Sequence, residues 1–458
     1  MADEHDDDRR GTTGTGRPAG QGATALGRAG WRRVTRWTAV AASVAVLLVA
    51  TAGTVLYIRL NGNIRDLPLF AGIGGDAGTE QPDAFGRTPI NVLVIGSDSR
   101  ADTADCRLGG GCGPGQNADV EMVLHIAADR SHAAVLSIPR DTVTRLPACR
   151  APDGSVSRAG RGQINSTLQY GPGCTVAAVH ALTKIPIDHF MMADFSGVVR
   201  LSDAVGGVPV CVDRDVYDPY SHLKLAKGRH SLQGVAALEF LRSRHAFGDG
   251  SDLGRTDAQH LFLSALAGRL REGGSLSDPA GLLALADAAT GALTVDTGLA
   301  AVPRLVSLAN DLRKVPSAQV AFTTMPSLPD ADDPDRVVAS PAARRLFAAI
   351  AADLPLKVTG SPPPAGGTGS GETSAGGTDA GDAGSDPGDD AKTGSAASPS
   401  ARPSRAATAP DPDTHGRTAT RHPACAEVAT DEAVSVRGVP MTPTAAFAAT
   451  PKIRVSAR

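Results

Sequence analysis

The hydrophobic pattern of the chain begins with one long uncharged stretch near the N-terminus. Thr38–Ile58 contains no charged side chain. A helix of that length, rising about 1.5 Å per residue, spans a bilayer core of roughly 30 Å. Arginines precede the stretch, and the positive-inside rule then keeps the N-terminus in the cytoplasm. We therefore predict a single-pass protein of the cell membrane whose larger, C-terminal part is extracellular; the arginines are Arg28, Arg32, Arg33 and Arg36.

A cleaved signal peptide is the alternative for this segment, because Ala50-Thr51-Ala52 has the form of a cleavage site. The apolar run continues past that site to Ile58, which favours a retained anchor. Arg32-Arg33 resembles a twin-arginine signal, although only weakly. All three interpretations place the remainder of the chain outside the cytoplasm.

Beyond residue 88 the pattern alternates between short apolar runs and amphipathic segments. Ile90–Ile95 is a fully apolar strand, and Val120–Ile126 and Ala133–Ile138 read as two strands joined by a tight turn at Asp129–Ser131. Apolar residues at helical spacing predict a helix over Asp257–Glu272. Buried strands mixed with amphipathic helices favour an α/β fold in which helices cover both faces of a sheet. Further helices are predicted at Val176–Leu182, Gly197–Val205, Leu232–Leu241, Ala280–Ala289, Leu299–Leu312 and Ala342–Ala352, and further strands at His189–Met192, Val208–Val212 and Gln319–Thr323.

Composition divides the chain into five segments. Gly and Pro are abundant (52 and 32 residues) whereas aromatics make up only 3%, which indicates one globular part with much unpacked chain. We predict a disordered cytoplasmic segment at 1–36, a transmembrane helix at 37–59, a stalk at 60–87, the globular domain at 88–357 and a low-complexity disordered tail at 358–458. The formal net charge of −3 gives no support to nucleic-acid binding.

The six cysteines fit an oxidising compartment. Two local disulfides are our prediction, Cys106–Cys112 and Cys149–Cys174, because each pair brackets a loop region. Six cysteines allow 15 connectivities, so the sequence does not fix the pairing. A zinc site competes with disulfides, but the chain has no C-x-x-C pair. Cys211 lies in an apolar run and is interpreted as a buried thiol.

Two acidic residues and one arginine stand at the ends of predicted strands. Asp98 follows the strand Ile90–Ile95, Asp119 opens the next strand, and Arg140 closes the third. Strand ends are common places for the site of an α/β protein. If the second and third strands form a hairpin, Asp119 and Arg140 share one edge, where the first could hold a metal and the second an anion. Taken singly, these residues also fit a turn or a surface ion pair.

A group of arginines follows the predicted helix Leu232–Leu241. Arg242 and Arg244 stand two residues apart and face the same side only if the chain there is extended. Arg255 follows a Gly-rich loop. Convergent arginines bind phosphate oxygens and neutralise the charge of phosphoryl transfer, although a solvated basic patch is the simpler alternative. No G-x-S-x-G, H-E-x-x-H or Walker-type motif is present.

Together these clusters resemble the LytR-CpsA-Psr family of cell-wall glycopolymer transferases, of the actinobacterial type. The matching stretches occur in the family's order and cover roughly residues 90–270: INVLVIGSDSR, ADVEMVLHIAADRSHAAVLSIPRDT, GQINSTLQYGP, IDHFMMADFSGVVRLSDAVGGVPVCV and GRHSLQGVAALEFLRSRHAFGDGSDLGRTDAQHLFL. The resemblance implies an α/β/α sandwich with a central mixed β-sheet and a long apolar pocket for a polyprenyl chain.

The resemblance also implies an activity and the residues that perform it. The enzyme would be a Mg²⁺-dependent phosphotransferase that moves a glycopolymer phosphate from a polyprenyl-pyrophosphate carrier to a hydroxyl of peptidoglycan. Asp119 would be the main metal ligand, while Asp98 would be a second metal ligand and our candidate for the base. The arginines would hold the pyrophosphate, with two amides in support. By motif position these are Arg140, Arg242, Arg244, Arg255, Asn165 and Gln259.

The sequence departs from the family pattern in three motifs: Ala118 and Val120 flank the metal carboxylate in place of the usual Ser/Thr and Thr, Ala258 replaces an arginine before the motif glutamine, and Gln163 replaces a lysine in the asparagine motif. Two other functions stay open. The same site could release the phosphate to water, as a polyprenyl-pyrophosphate phosphatase or pyrophosphatase. The protein could also be a non-catalytic envelope regulator or wall-binding protein, although a DNA-binding regulator would need a cytoplasmic domain larger than residues 1–36.

Overall fold

The computed structural model describes residues 25–70, 76–100, 103–109, 111–113, 115–151, 153–248, 250, 252–272, 279–356, 416–418 and 425–457. The chain divides into two units, Met1–Arg59 and Leu60–Arg458. The predicted disorder of residues 1–24, and that of most of the tail, lies outside the described residues.

Helices and strands agree with the predicted order. The α-helices are α1 (Ala25–Asn63), α2 (Thr103–Leu108), α3 (Pro172–Thr183), α4 (Phe195–Ala204), α5 (Gly234–Arg242), α6 (Asp252–Glu272), α7 (Pro279–Ala292), α8 (Val302–Lys314), α9 (Pro341–Ala351) and α10 (Pro443–Ala449), with 3₁₀ turns at Ile164–Tyr170 and Ser317–Gln319. The strands are β1 (Arg65–Leu67), β2 (Ile90–Ser97), β3 (Ala118–Ile126), β4 (Ala133–Ile138), β5 (Val143–Leu146), β6 (Gly160–Gln163), β7 (His189–Ala193), β8 (Val208–Val212), β9 (Val216–Tyr217), β10 (Lys224–Leu225), β11 (Gly228–Leu232), β12 (Leu293–Asp296), β13 (Val320–Thr324), β14 (Ser327–Pro329), β15 (Val337–Ala339), β16 (Gly416–Thr418), β17 (Val434–Val436) and β18 (Val439–Met441).

The described part of the first unit is helical. Within α1, the stretch Thr35–Asn63 is long and apolar enough to cross a membrane, and the most apolar window of this stretch has no buried residues. The helix begins at Ala25, twelve residues before the predicted start of the anchor at residue 37. The backbone of residues 25–36 is therefore helical, where the sequence predicted disorder.

The second unit is built on a mixed eight-stranded sheet in the order β1-β12-β7-β2-β3-β4-β13-β16. β3 runs antiparallel to both of its neighbours, β2 and β4, while β7 pairs in parallel with β2 and β13 pairs in parallel with β4. One face packs against α3 and α9, through residues such as Val176 and Phe347. The other packs against α8, through residues such as Leu308. The predicted α/β/α sandwich is confirmed.

Two segments that were predicted to lie outside the globular domain belong to the folded unit. The predicted stalk at 60–87 contributes β1, which pairs with β12 at the edge of the central sheet. The C-terminal segment, which we define as residues 425–457, packs on a lobe formed by β8–β11, α5 and α6. Its Ala426 and Val428 are 4% and 0% exposed within that lobe. Isolated apolar residues in a polar tail acquire a core here because the lobe supplies the surface that the segment lacks.

All six cysteines are paired. The disulfides Cys106–Cys112 and Cys149–Cys174 have the predicted connectivity. The interpretation of Cys211 as a buried thiol is wrong, because it is bonded to Cys425 of the C-terminal segment. A backbone hydrogen bond holds the two segments together beside this disulfide: the amide of Ala426 donates to the carbonyl of Cys211 at 2.7 Å.

An ionisable residue of β3, Glu121, is packed among apolar residues of the core. Glu121 of β3 is 1% exposed and stands opposite Ile95 and Ile138, both of which belong to the core between the sheet and α3. Neither carboxylate oxygen has a hydrogen-bond partner among the described residues. Burial raises the pKa of Glu121 well above its ordinary value, so the folded chain keeps this proton to a higher pH than the unfolded chain does.

This burial predicts how stability responds to pH. The unfolded chain ionises Glu121 near its ordinary pKa whereas the folded chain does not, so the free energy of unfolding decreases as pH rises between the two values, by up to about 1.4 kcal/mol per pH unit. Glu121→Gln carries no charge in either state and is expected to melt above the wild type at pH 8. The difference should shrink towards pH 4. Thermal unfolding at both pH values tests this, and equal pH dependence of the two proteins would contradict it.

Candidate active site

The charged residues predicted at strand ends lie together at one edge of the central sheet, where β2 and β4 end and β3 begins. Because β3 runs antiparallel to β4, the first residues of one strand lie beside the last residues of the other. Asp119 at the start of β3 therefore meets Arg140, which follows β4, and Arg140 Nη1 donates a hydrogen bond to Asp119 Oδ1. The predicted hairpin geometry is confirmed.

The remaining arginines come from the junction between α5 and α6. Arg242 ends α5, and the next residue, Ser243, has extended backbone angles (φ −67°, ψ 117°), as the spacing of Arg242 and Arg244 required. Ser243 Oγ donates to Asp218 Oδ2 at 2.7 Å, and both of these residues are fully buried. Asp218 thus holds the turn that carries the two arginines.

Asp119 and the four predicted arginines line one cavity of about 510 Å³. One part of its wall is charged, and the rest is formed by apolar side chains of the sheet, α4, α5 and α6. A cavity of this kind suits an amphiphile with an anionic head and a hydrocarbon tail. The charged and amide groups are Asp119, Asp194, Arg140, Arg242, Arg244, Arg255 and Gln259, and the apolar wall includes Val94, Val120, Met122, Val198, Leu201, Leu238, Leu241, Phe262, Leu263, Leu266 and Leu293.

The guanidinium groups are held in place by protein contacts. Arg242 Nη1 donates to the carbonyl of Leu108 at 2.9 Å, and its Cζ lies 4.7 Å from the ring centroid of Phe195. Arg255 is only 5% exposed, and its Nη2 lies 3.4 Å from the carbonyl of Asp119. Ordering a guanidinium in advance reduces the entropy lost when it binds an anion.

Partial burial of Arg242 affects its electrostatics. Burial lowers its pKa, as does the charge of Arg100, while the carboxylates of Asp119 and Asp98 oppose the shift. The guanidinium nevertheless remains charged at neutral pH, because its ordinary pKa is far higher. A charge in this poorly solvated place is stabilised by a bound anion more strongly than a charge in open water.

Two predicted site residues do not line the cavity. Asp98 Oδ1 accepts the backbone N–H of Asn117 at 2.5 Å, and its Oδ2 lies 3.4 Å from the side-chain amide of the same residue. Its charge still acts on Arg242, so Asp98 stands near the charged end without facing it. Asn165 lies on the 3₁₀ turn Ile164–Tyr170, also outside the lining. The neighbouring Gln163 does not line the cavity either; its Nε2 donates to Asp141, the residue after Arg140, at 2.7 Å.

Several lining residues were missed by the sequence reasoning. Asp194 accepts the amide of Gly197 at 2.7 Å and caps α4, which turns Phe195 towards Arg242. An Asp before a helical pattern is a capping signal, so this role was readable. Tyr220 also lines the cavity, with its ring centroid 4.9 Å from that of His245, whose place directly after Arg244 makes it a candidate lining residue from sequence alone. No local pattern marks Tyr220, because it comes from a different segment of the chain.

The structure was compared with known proteins. The LytR_cpsA_psr family profile matches residues 75–341, more than half of the chain. The cell wall biosynthesis protein LcpA of Corynebacterium glutamicum is 32% identical over 62% of this chain and 58% of its own length. The polyisoprenyl-teichoic acid–peptidoglycan teichoic acid transferase TagT of Bacillus subtilis is 26% identical over 51% of this chain and 70% of its own length.

Among solved structures, a LytR-Csp2A-Psr enzyme from Actinomyces oris superposes with a TM-score of 0.45 at 22% identity, covering 63% of this chain and 96% of that one. The chain spans about half the length of the first curated relatives that it matches, 58% of LcpA and 48% of the related LcpB. The profile match covers six of the eight strands of the central sheet and all six charged positions predicted for the site. The chain belongs to the LytR_cpsA_psr family.

Proposed function

We propose that the protein is a phosphotransferase that attaches a glycopolymer, carried on polyprenyl pyrophosphate, to peptidoglycan during cell-wall assembly. The observation that carries this proposal is the cavity itself, which is lined by four arginines and two carboxylates together with many apolar side chains. A polyprenyl pyrophosphate has the same division between anionic head and hydrocarbon chain. The names of LcpA and TagT, which describe cell-wall biosynthesis and teichoic acid transfer, support the assignment.

In the proposed reaction, an acceptor hydroxyl oxygen of peptidoglycan bonds to the phosphorus next to the glycan. The bond from that phosphorus to the bridging oxygen breaks, and polyprenyl phosphate leaves with the electron pair. The hydroxyl proton passes to a base, for which Asp98 stays our candidate. Arg140, Arg242 and Arg255 bind the non-bridging oxygens, where negative charge accumulates during transfer.

The cavity wall offers one suitable ligand for a magnesium ion. Asp119 is an oxygen ligand on the cavity wall, and Mg²⁺ in phosphate sites is commonly held by one or two carboxylates together with substrate oxygens. The bound ion would neutralise pyrophosphate charge that the arginines leave uncompensated. Asp98, the second carboxylate that we predicted as a ligand, is turned towards Asn117 and would have to rotate to take part.

The proposed location follows from α1. The apolar stretch Thr35–Asn63 is an anchor candidate, and the arginines before it favour a cytoplasmic N-terminus. The second unit would then lie outside the cell, where peptidoglycan is accessible and disulfides persist.

The test of function uses the full chain in detergent. It is incubated with a synthetic polyprenyl-pyrophosphate glycan, Mg²⁺ and a peptidoglycan oligomer, and products are identified by mass spectrometry. We expect a phosphodiester-linked glycan–peptidoglycan product that disappears with EDTA and in Asp119→Asn. Phosphorylated glycan released to water, without coupled product, would favour the phosphatase. Absence of any turnover would reject both enzymes and leave a binding protein.

The apolar chamber gives a separate prediction. Val198 of α4 lines the cavity, so Val198→Trp places an indole where the prenyl chain would lie. We expect a higher KM for a long-chain donor and little change for a short-chain donor, because only the long chain reaches the filled volume. Val306→Trp, at an exposed position of α8, is the matched control. Equal KM changes for both donors would exclude this chamber as the prenyl site.

A further inference from the structure

A second cluster of potential ligands lies at the opposite end of β3 from Asp119. His125 of β3, His132 just before β4 and Asp353 just after α9 each offer one ligand atom, and these atoms all lie within 4.8 Å of one another. His125 lies six positions beyond Asp119 along β3, and six strand positions correspond to roughly 20 Å. The cluster is therefore remote from the arginines and takes no part in the proposed transfer.

The two imidazoles present the same nitrogen to the carboxylate. His125 Nε2 lies 3.0 Å and His132 Nε2 lies 3.9 Å from Asp353 Oδ1. Ligand atoms about 2.0–2.1 Å from a tetrahedral zinc ion lie roughly 3.3 Å apart, so the observed distances bracket the required spacing. His125 is 1% exposed and His132 is 8% exposed, which makes the two imidazoles a buried pair rather than a surface cluster.

The contacts that each ring makes through Nδ1 also resemble those of metal-binding histidines. His125 Nδ1 lies 2.7 Å from Asn91 Oδ1, and His132 Nδ1 lies 3.0 Å from Ser131 Oγ. Metal-binding histidines characteristically use the second ring nitrogen in this way, which fixes the ring and leaves the first lone pair for the ion. His132 Nε2 is buried and has no hydrogen-bond partner among the described residues, although it is aimed into the cluster.

Asp353 is held for this role by its backbone. It has a φ of +54°, in the left-handed region that non-glycine residues seldom adopt. Its Oδ2 accepts the amide of Ala128 at 3.1 Å, and Oδ1 remains directed at the two imidazoles. A cleft of about 520 Å³ reaches His132 and Asp353, so an ion could enter and retain a water ligand.

We propose that His125, His132 and Asp353 form a binding site for a divalent transition-metal ion, Zn²⁺ by its ligand chemistry. Two imidazole nitrogens and one carboxylate suit zinc, whereas magnesium prefers oxygen ligands alone. The ion joins the end of α9 to the β3–β4 turn and so stabilises the second unit. This site is independent of the proposed magnesium at Asp119.

The test measures zinc directly. The full chain, free of any histidine tag, is stripped with a chelator and titrated with Zn²⁺ against a chromophoric competitor. Co²⁺ is then substituted, and its visible absorption reports nitrogen and oxygen ligands. We expect one ion per chain, bound equally well by Asp119→Asn, and a higher melting temperature with zinc than without it. Failure of the wild type to bind zinc would overturn the proposal.

Variants separate this site from incidental binding. Asp353→Asn preserves a side chain that tolerates the left-handed backbone, and His132→Ala removes the unpartnered imidazole; both should abolish binding. Asn91→Ala should weaken it by roughly 10- to 100-fold, because the Nδ1 contact of His125 is lost. His189→Ala is the matched control, since His189 Nδ1 lies 3.1 Å from Asp296 in a pair with one imidazole. Cooperative melting shows that a variant is folded, and undiminished zinc binding by folded Asp353→Asn and His132→Ala would reject the site.

Discussion

Arg242→Ala is expected to lower the rate of glycopolymer transfer by about 10³-fold or more, the range associated with a single arginine in phosphoryl transfer. The guanidinium stands at the charged end of the cavity, and it is already ordered by the carbonyl of Leu108 and the ring of Phe195. Its removal leaves pyrophosphate charge uncompensated in a poorly solvated place, where each ionic contact has a large free energy. The measurement is the initial rate of coupled product at saturating donor.

Two further variants make this prediction specific. Arg242→Lys keeps the charge but loses the planar fork and much of the stacking on Phe195, so it should retain only part of the activity. Arg269→Ala removes another arginine, whose Nε lies 3.4 Å from the carbonyl of Val205 and which is not part of the cavity wall. It should transfer at the wild-type rate. A wild-type rate for Arg242→Ala would show that the pyrophosphate binds elsewhere.

The second large effect concerns the disulfide between Cys211 and Cys425. The double variant Cys211→Ser/Cys425→Ser, which leaves no free thiol, should lose about 2–5 kcal/mol of folding free energy, since the bond joins residues 214 apart in the chain. Opening so long a loop enlarges the unfolded ensemble. The loss corresponds to a melting temperature lower by at least about 2 °C, because the entropy of unfolding scales with the size of the unit. Differential scanning calorimetry of the full chain measures it.

The matched control removes the disulfide that closes a short loop. Cys106→Ser/Cys112→Ser opens a loop whose ends are six residues apart, and the entropic account predicts a smaller loss. The long-range variant should also expose Ala426 and Val428, because the bond fastens the C-terminal segment to its lobe. Faster hydrogen exchange in residues 425–457 would report that exposure. Unchanged melting and exchange would mean that packing alone holds the segment.

Local patterns along the chain were enough to place the main elements. Ala133–Ile138 and Val208–Val212 have the predicted bounds, because a run of apolar residues in a buried strand is a local property. The predicted helix over Asp257–Glu272 begins five residues earlier, at Asp252. Charged residues at strand ends and after α5 were recognisable for a similar reason, since they stand where elements stop.

Contacts between distant segments were not recognisable in the same way. Cys425 follows a low-complexity stretch, and nothing near it points to Cys211. The three residues of the proposed zinc site include Asp353, which lies 228 positions from His125. Asp98 has the right place in the sequence, but hydrogen bonds to Asn117 decide where its carboxylate points. Each case depends on a partner that the local pattern does not contain.

The amino-acid sequence by itself determined the long apolar segment near the N-terminus, the alternation of strands and helices and the family of the chain, and it named the candidate charged residues of the site. Only the tertiary structure decided that Asp119, Arg140, Arg242 and Arg255 share one cavity, that Cys211 binds Cys425 and that β1 completes the sheet edge. The physical reason is the range of the interactions. Hydrophobic periodicity and helix capping act over a few residues, whereas a cavity, a long-range disulfide and a strand pairing form when chain collapse brings distant residues together.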